Sequence, residues 1–269
     1  MTDRLLTWEQ AVSWLKQQPD QVELVRACFY DDPLLSAAER YAASNEWCAV
    51  RALLPPPPGN ALDVGAGRGI SSFALARDGW DVVALEPDNS ADVGAEAIRS
   101  LAEEANLRID VVEQWGEKLP FPDNGFDLVH CRQVLHHAQN LPQLCREIGR
   151  VLRPGGVFIA TREHVISRSE DLKVFLAGHP LHKLYGGENA YLLQQYLSAI
   201  RNGGIALTSV FNPFQSDINL YPQTVAGLKR QIAAKLRWPS SLIPNFALGL
   251  LGAVSRSPGR LFTFVGRKR

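Results

Sequence analysis

The sequence predicts an α/β fold, a Rossmann-like, doubly wound sheet of seven mostly parallel strands with helices on both faces. One observation is a short apolar strand that runs into a glycine-rich turn and a helix, where residues 61–70 read Ala-Leu-Asp-Val-Gly-Ala-Gly-Arg-Gly-Ile. Another is an apolar strand, 81–86, that ends in a carboxylate, Glu86, 19 residues beyond Gly67. The third is the alternation of strand and helix patterns that follows, which is typical of parallel strands joined by right-handed crossovers.

Residues 1–59 are predicted to form an N-terminal helical cap. Apolar residues recur at helical spacing from Trp8 to Leu15, and a second helical pattern covers 35–54. The turn between these helices carries Tyr30, which either contacts a bound acceptor or packs the helices onto the core with the other aromatic residues. Four prolines at 55–58 form a stiff spacer before the first strand.

Residues 60–211 are predicted to form the core, because their hydrophobic period switches repeatedly between that of a strand and that of a helix. Strands are predicted at 60–64, 81–86, 108–113, 126–131, 157–163 and 205–211, and helices near 70–78, 91–105, 140–152 and 188–201. Residues 212–260 are predicted to be a helical insertion, with helices around 224–236 and 243–254, and residues 261–269 to hold the last core strand.

The composition is that of a soluble globular protein, with 46% hydrophobic residues in a chain of 269. The first residues lack the basic start and long apolar run of a signal peptide, and no apolar stretch approaches the ~20 residues needed to cross a bilayer. The four cysteines are scattered without a C-x-x-C pair, which favours free thiols in a reducing compartment over disulfides or a zinc site. We therefore expect a cytoplasmic protein.

Charge is distributed unevenly along the chain, although the formal net charge is zero. Residues 218–269 hold nine basic and no acidic residues, whereas residues 1–217 hold 19 basic and all 28 acidic ones. Within 218–260, cations mix with apolar residues at 228–238, and 243–254 is almost entirely apolar. This insertion is predicted either to contact an anionic membrane or a lipid-linked substrate, or to pack on the core with an ordinary solvated basic face.

Three motifs together resemble class I S-adenosylmethionine (SAM) dependent methyltransferases of the type 11 group. They are Asp63-x-Gly65-x-Gly67-x-Gly69, the stretch Leu-Pro-Phe-Pro-Asp-Asn-Gly-Phe-Asp-Leu-Val at 119–129, and Leu-Arg-Pro-Gly-Gly at 152–156. Ile70 stands where a nicotinamide-binding turn would carry its third glycine. The resemblance covers roughly residues 60–165, and the alternative is a Rossmann-like domain that binds another nucleotide or none.

The resemblance implies SAM as cofactor, with S-adenosylhomocysteine (SAH) as the product. It places Asp63 near the methionine end, through water, and the backbone of Gly65, Ala66 and Gly67 against it. Glu86 is implied to accept hydrogen bonds from the ribose hydroxyl groups, a role that its position after the second strand also supports.

The adenine end departs from the family pattern. Many relatives carry Gly-Asp-Ala-Glu before Leu-Pro-Phe, whereas residues 114–117 of this chain read Gln-Trp-Gly-Glu. Trp115 therefore replaces the aspartate that accepts from the adenine amino group, and it either stacks on the ring or packs beside it. The N–H group of Gly116 remains a possible donor to adenine. Cys131 and Arg132, which precede Leu-His-His at 135–137, are implied to line the methionine pocket.

All six histidines fall between His130 and His182. His164, at the end of the fifth strand, is the first candidate for a general base and Glu163 the second, unless both only form hydrogen bonds within their loop. Structural or pocket-lining roles are favoured for the histidines at 136 and 137. His179 and His182 have ligand-like spacing, but Pro180 interrupts a helix and no carboxylate cluster accompanies them, so no metal site is predicted.

The sequence thus predicts a SAM-dependent methyltransferase that acts on a small-molecule or saccharide acceptor, at oxygen, by metal-independent in-line transfer. Residues 179–191 carry mixed hydrogen-bonding groups that suit a polyhydroxylated acceptor. Nucleic acid is not an expected partner, because the chain has no RNA-binding module and no Asn-Pro-Pro-Tyr after the fourth strand. The alternative from another class is a non-catalytic membrane-surface or scaffold protein on a methyltransferase fold.

Overall fold

The computed structural model of the protein describes residues 5–269, so the first four residues of the predicted cap lie outside the described part. One sheet contains eight strands. They are β1 (Asn60–Val64), β2 (Asp81–Leu85), β3 (Ile109–Val112), β4 (Phe126–Arg132), β5 (Leu152–Ile166), β6 (Tyr191–Leu192), β7 (Ile205–Phe211) and β8 (Arg260–Lys268).

The strand order is β3-β2-β1-β4-β5-β8-β7, and β6 adds a two-residue pairing to β5. Strands β1 to β5 run parallel, whereas β8 is antiparallel to both β5 and β7. The predicted Rossmann-like sheet of seven mostly parallel strands is therefore confirmed, with β6 as a small addition. The order reverses between β1 and β4, and ligands of such sheets bind beside the carboxyl ends of the strands at this reversal.

Helices of the described residues lie on both faces of the sheet. They are α1 (Trp8–Lys16), α2 (Val22–Ala27), α3 (Leu34–Ala42), α4 (Asn45–Arg51), α5 (Ile70–Arg77), α6 (Ala95–Glu104), α7 (Leu141–Val151), α8 (Asp171–Gly178), α9 (His182–Tyr185), α10 (Leu193–Asn202), α11 (Asp217–Leu220), α12 (Val225–Leu236) and α13 (Asn245–Val254). α12 and α13 occupy the predicted insertion between β7 and β8.

Two helix predictions are wrong in ways that matter for the site. The run 35–54 is not one helix, because the Ser44 side chain accepts a hydrogen bond from the N–H group of Trp47 at 3.1 Å and caps a new helix there. The helix predicted over 188–201 begins only at Leu193, so Glu188 lies in a loop.

The core follows from the alternation of side chains along the buried strands. Leu62, Val129 and Cys131 face a cluster formed with α7 and α10, and their neighbours Ala61 and Leu128 face the opposite cluster. That second cluster includes buried aromatic residues of the cap, namely Phe29, Tyr41 and Trp47. The cap is therefore packed onto one face of the sheet through apolar contacts.

Candidate active site

The glycine turn between β1 and α5 is tightly packed on one side and open on the other. The N–H groups of Gly65 and Ala66 donate to the carbonyl oxygen of Leu85 at 2.8 and 3.1 Å. Gly65 and Gly67 have φ angles of 63° and 57°, which favour glycine. A Cβ atom on Gly65 would lie 2.8 Å from a methyl carbon of Val134, whereas one on Gly67 would meet no atom within 4 Å. The turn therefore offers its backbone to a ligand at Gly67.

Glu86 follows β2 and lies against this turn. Its side chain accepts hydrogen bonds from the N–H groups of Gly67, at 2.7 Å, and Asp88, at 3.0 Å. Burial raises the pKa of Glu86 to about 7, even though both hydrogen bonds act in the opposite direction. The structure thus brings together the acid and the glycine that the sequence places 19 residues apart.

Asp63 is buried at the carboxyl end of β1 and is held by two side chains. Its Oδ2 atom accepts a hydrogen bond from the Ser72 hydroxyl group at 2.6 Å, and its Oδ1 atom lies 2.8 Å from Nδ1 of His130. His130 is its direct neighbour in the β1–β4 register and is also fully buried. The sequence contained no sign of this pair, because it arises only when the two strands lie side by side.

The two residues predicted at the adenine end lie in different environments. Trp115 is 60% exposed, so most of its ring is available for stacking. A Cβ atom on Gly116 would lie 2.7 Å from a methyl carbon of Leu144 and 3.3 Å from one of Val64. Gly116 is therefore packed closely against the end of β1, which brings this loop to the same edge of the sheet as the glycine turn.

The side chain of Cys131 packs in the apolar core, and that of Arg132 pairs with a residue of the cap. Cys131 lies in the apolar core, and burial raises the pKa of its thiol well above the usual range. Arg132 donates from Nε and Nη2 to the two carboxylate oxygens of Glu46, at 2.7 and 3.2 Å. Glu46 belongs to α4, so this buried ion pair ties the cap to the end of β4.

A second set of polar contacts joins the cap to the glycine turn. The buried guanidinium group of Arg68 donates to the carbonyl oxygens of Phe29 and Asp31, at 3.3 and 3.2 Å, and to the carboxylate of Asp32 at 2.7 Å. Tyr30 lies within the same turn of the cap, and burial raises the pKa of its phenol. The cap therefore borders the edge of the sheet where the candidate cofactor residues lie.

Glu163 is fully buried and organises the turn after β4. It accepts hydrogen bonds from the N–H groups of Val134, Leu135 and His136, at 3.0 to 3.1 Å, and lies 2.7 Å from Nδ1 of His136. Burial raises its pKa, although the backbone hydrogen bonds oppose this. Glu163 thus forms hydrogen bonds with the turn after β4, and none of these bonds lies within its own segment.

His164 is half-buried, and among residues 5–269 only one of its two ring nitrogens has a hydrogen-bond partner. Its Nδ1 atom lies 2.8 Å from the carbonyl oxygen of Gly259. Since a carbonyl can only accept, Nδ1 carries the proton and Nε2 keeps its lone pair. Burial lowers the pKa of His164, which favours the neutral imidazole.

Four histidines gather around Glu188 beyond the carboxyl ends of β4 and β5. The Oε2 atom of Glu188 lies 3.8 Å from Nε2 of His136 and 3.9 Å from Nε2 of His137, and Oε1 lies 3.8 Å from Nδ1 of His179. The ring of His164 lies 4.7 Å from that of His136. We call these five residues the histidine cluster. A single carboxylate, Glu188, thus lies beside His179, where the sequence showed no carboxylate cluster.

Burial and charge act in opposite directions within the histidine cluster. Burial lowers the pKa values of His136 and His179, so their imidazoles favour the neutral form. Burial also acts to raise the pKa of Glu188, but the surrounding histidines outweigh it and hold this pKa below its usual range. The ionised carboxylate of Glu188 and the neutral imidazoles of His136, His164 and His179 are therefore the favoured forms, a set that can accept protons or bind a cation.

Comparison with known proteins identifies the family. Residues 62–160 match the family model described as a methyltransferase domain. The matched segment, residues 62–160, is therefore a methyltransferase domain of the class I SAM-dependent type. SAM is the cofactor of this family, and the site fits it: two buried carboxylates, Asp63 and Glu86, lie beside a glycine turn that is open at Gly67. Carboxylates suit a ligand that carries a sulfonium and an ammonium group.

Individual relatives of this chain agree with that assignment of the domain. A ubiquinone biosynthesis O-methyltransferase from Methylobacterium sp. (strain 4-46) is 29% identical over 150 residues, 54% of this chain and 59% of that protein. A sterol 24-C-methyltransferase from Gibberella zeae is 36% identical over 103 residues, 38% of this chain and 27% of that protein. The chain thus spans little more than half the length of the first relative and less of the second.

Solved structures show the same fold. A geranyl diphosphate methyltransferase in complex with SAM superimposes with a TM-score of 0.60 at 18% identity, covering 90% of this chain and 94% of that one. Among residues 5–269, no helix of this protein is both long and apolar enough to traverse a bilayer.

Proposed function

We propose that this protein is an enzyme that transfers a methyl group from SAM to an oxygen atom of a small-molecule or saccharide acceptor. The observation that carries the proposal is the contact between Glu86 and Gly67, which joins a buried acid to the open side of the glycine turn. The match to an O-methyltransferase covers more of this chain than the match to a C-methyltransferase, which favours oxygen as the acceptor atom.

In this proposal, different residues along the edge of the sheet bind different parts of SAM. We assign the ribose hydroxyl groups to Glu86, the methionine end to Asp63 and the backbone at 65–67, and the adenine ring to Trp115 and the N–H group of Gly116. Ser72 and His130 hold the Asp63 carboxylate in place. When bound, SAM supplies an electrophilic methyl group, so the protein's main contribution is to position the acceptor in a dry site.

The histidine cluster is the proposed acceptor side of the site. The turn that carries His136 is held by Glu163 and begins at Val134, which also packs against Gly65. As the acceptor oxygen bonds to the methyl carbon, the carbon–sulfur bond breaks and the hydroxyl proton must leave. We assign this proton to the lone pair on Nε2 of His164.

We also propose that the insertion contacts an anionic membrane surface. Its inner face packs around Ala233, Ile243 and Leu248. Its outer face exposes large apolar residues, each between 46% and 70% accessible, namely Leu236, Trp238, Leu242, Phe246, Leu250, Leu251 and Val254. Four exposed cations accompany them: Arg230, Lys235, Arg237 and Arg256. An apolar face flanked by cations matches anionic lipid, since each cation near the surface contributes about 1 kcal/mol.

A transfer assay tests the catalytic proposal. The protein would be incubated with methyl-labelled SAM and an extract of the source cells, and the products partitioned between organic solvent and water. The proposal expects labelled product with wild-type protein and strongly reduced label with His164→Ala, whose SAH affinity should be unchanged. Equal labelling with and without the protein would contradict it. Label in the organic phase would indicate a lipid or lipid-linked acceptor.

Vesicle sedimentation tests the membrane proposal separately. Wild-type protein should sediment with vesicles of phosphatidylglycerol and phosphatidylcholine at low salt, and Phe246→Ser/Leu250→Ser should remain in the supernatant. Val174→Ser is a matched control, because Val174 is 63% exposed but lies outside the insertion. Wild-type protein that stays in the supernatant at low salt would rule out the contact.

A further inference from the structure

Three side chains of the histidine cluster are arranged as metal ligands. A ring nitrogen of His136, a ring nitrogen of His164 and a carboxylate oxygen of Glu188 all lie within 4.8 Å of one another. His136 and Glu188 are buried, and His164 is half-buried. The three residues come from the turn after β4, the end of β5 and the loop before β6, so the fold assembles the set from distant parts of the chain.

Both imidazoles are fixed by a hydrogen bond on the ring nitrogen that does not face the cluster. Nδ1 of His136 lies 2.7 Å from the Glu163 carboxylate, and Nδ1 of His164 lies 2.8 Å from the carbonyl oxygen of Gly259. Because both partners accept, the proton resides on Nδ1 and each Nε2 retains a lone pair. Metal-binding histidines are commonly held this way, by a carboxylate or carbonyl on the far ring nitrogen.

The carboxylate oxygens of Glu188 lie farther from the histidine nitrogens than the length of a hydrogen bond. Its oxygens lie 3.8 to 3.9 Å from nitrogens of His136, His137 and His179, beyond the usual limit of about 3.2 Å. Oε1 accepts a hydrogen bond from the Tyr185 hydroxyl at 2.7 Å, and Nδ1 of His179 has no partner among residues 5–269. Buried polar groups this close normally pair directly. Ligand atoms bound to one Zn²⁺ ion stand about 3.3 Å apart, so the 3.8 Å gap between Glu188 and His136 would narrow by about 0.5 Å around an ion.

We propose that His136, His164 and Glu188 bind a divalent first-row transition-metal ion such as Zn²⁺. Two imidazoles and one carboxylate suit this class of ion, whereas Mg²⁺ and Ca²⁺ prefer sites built of oxygen. His137 lies at the rim, and its side chain is 37% exposed, which gives an ion a route from solvent. A site with three protein ligands leaves coordination positions for a substrate.

The role of a bound ion in methyl transfer rests on the proposed function. An ion at this position binds an acceptor through oxygen atoms, which favours acceptors with two adjacent oxygens, such as a vicinal diol or a catechol. The ion would supply Lewis-acid polarisation of an acceptor hydroxyl group, whose proton would then leave to water. His164 is then a ligand rather than the base, and the acceptor oxygen still bonds to the methyl carbon as the carbon–sulfur bond breaks.

Cobalt titration tests the metal site without relying on activity. Tag-free protein stripped with chelator would be titrated with Co²⁺ while its visible absorption is recorded. The proposal expects a saturable band at one equivalent per chain that Zn²⁺ displaces. Glu188→Gln and His164→Ala should each weaken binding at least about tenfold. His182→Ala is the matched control, a histidine of the same region outside the triad, and should bind as wild type does.

Two outcomes would overturn the site. One is a wild-type titration without a saturable stoichiometric band, which decides the question even if a variant does not fold. The other is unchanged Co²⁺ affinity in both triad variants. Calorimetry with SAH on the metal-free preparations separates the two proposals: SAH binding without Co²⁺ binding removes only the metal site, and Co²⁺ binding without SAH binding removes the methyltransferase proposal.

Discussion

The N–H group of Gly67 donates a hydrogen bond to the Glu86 carboxylate at 2.7 Å. The acid proposed to bind the ribose of the cofactor therefore also supports the glycine turn that faces the cofactor. A second bond, from the N–H group of Asp88, fixes the other carboxylate oxygen. Loss of this side chain should consequently affect both the shape of the turn and the affinity for the ligand.

Two substitutions at Glu86 separate those effects. Glu86→Gln keeps an oxygen that can accept from Gly67 but loses the charge, so SAH affinity should fall about tenfold with little loss of stability. Glu86→Ala removes both hydrogen bonds and should lower SAH affinity further and reduce the free energy of unfolding by about 1–3 kcal/mol. Calorimetry and urea unfolding measure the two quantities, and equal SAH affinity in wild type and both variants would remove Glu86 from the site.

Cofactor affinity should depend on pH through Glu86. Its pKa in the folded protein is about 7, and hydroxyl groups that donate to it favour the ionised form. SAH affinity should therefore rise from about pH 6 to about pH 8 and then level off. The free energy of unfolding should change with pH in the opposite direction. Because the pKa of Glu86 is higher in the folded than in the unfolded protein, it stabilises the ligand-free fold, and this contribution is complete below the usual pKa of 4.5. The contribution is lost as the pH rises through about 7. Glu86→Gln should lose both dependences, and a variant that retains them would contradict the assignment.

The buried pair between Glu46 and Arg132 should make a large contribution to stability. Glu46→Ala leaves a buried guanidinium without its partner, so the free energy of unfolding should fall by about 3–5 kcal/mol. Glu113→Ala is a matched control, because it breaks the exposed pair with Arg99 and should cost about 1 kcal/mol or less. Similar losses in the two variants, measured by urea unfolding, would show that the cap is not held by the buried pair.

Trp115 should contribute to binding without contributing to the fold. Its ring is 60% exposed, so Trp115→Ala should leave the unfolding midpoint unchanged. Loss of a stacking surface should weaken SAH binding by about 1–3 kcal/mol. Calorimetry with adenosine as a second ligand checks that the effect belongs to the adenine end. Unchanged affinity for both ligands would mean that Trp115 lies beside the site rather than in it.

The sequence predicted the parts of the site that depend on neighbours along the chain. Strand, glycine turn and helix are consecutive, so the contact between Glu86 and Gly67 follows once the first two strands pair in parallel. Helices were predicted before the first strand too, although the break at Ser44 was missed. Its capping hydrogen bond to Trp47 competes with a helical pattern that continues on both sides.

The histidine cluster could not be predicted because it depends on contacts between distant segments. The pairing of β5 with β8 slips between Ala160 and Glu163, and Arg162 takes a φ angle of 59° within this irregularity. Such a bulge redirects the residues that follow it, here Glu163 and His164. Glu188 was assigned to a helix, whereas the structure places it in a loop that reaches His136. Neither feature has a local sequence signal.

The most direct test of the central claim is calorimetric titration of purified protein with SAH. Wild-type protein should bind one molecule per chain with a Kd below about 1 mM. An Asp63→Asn/Glu86→Gln variant that remains folded by circular dichroism should lose this binding. Absence of binding by the wild type at millimolar SAH, or equal binding by the double variant, would contradict the proposed cofactor site.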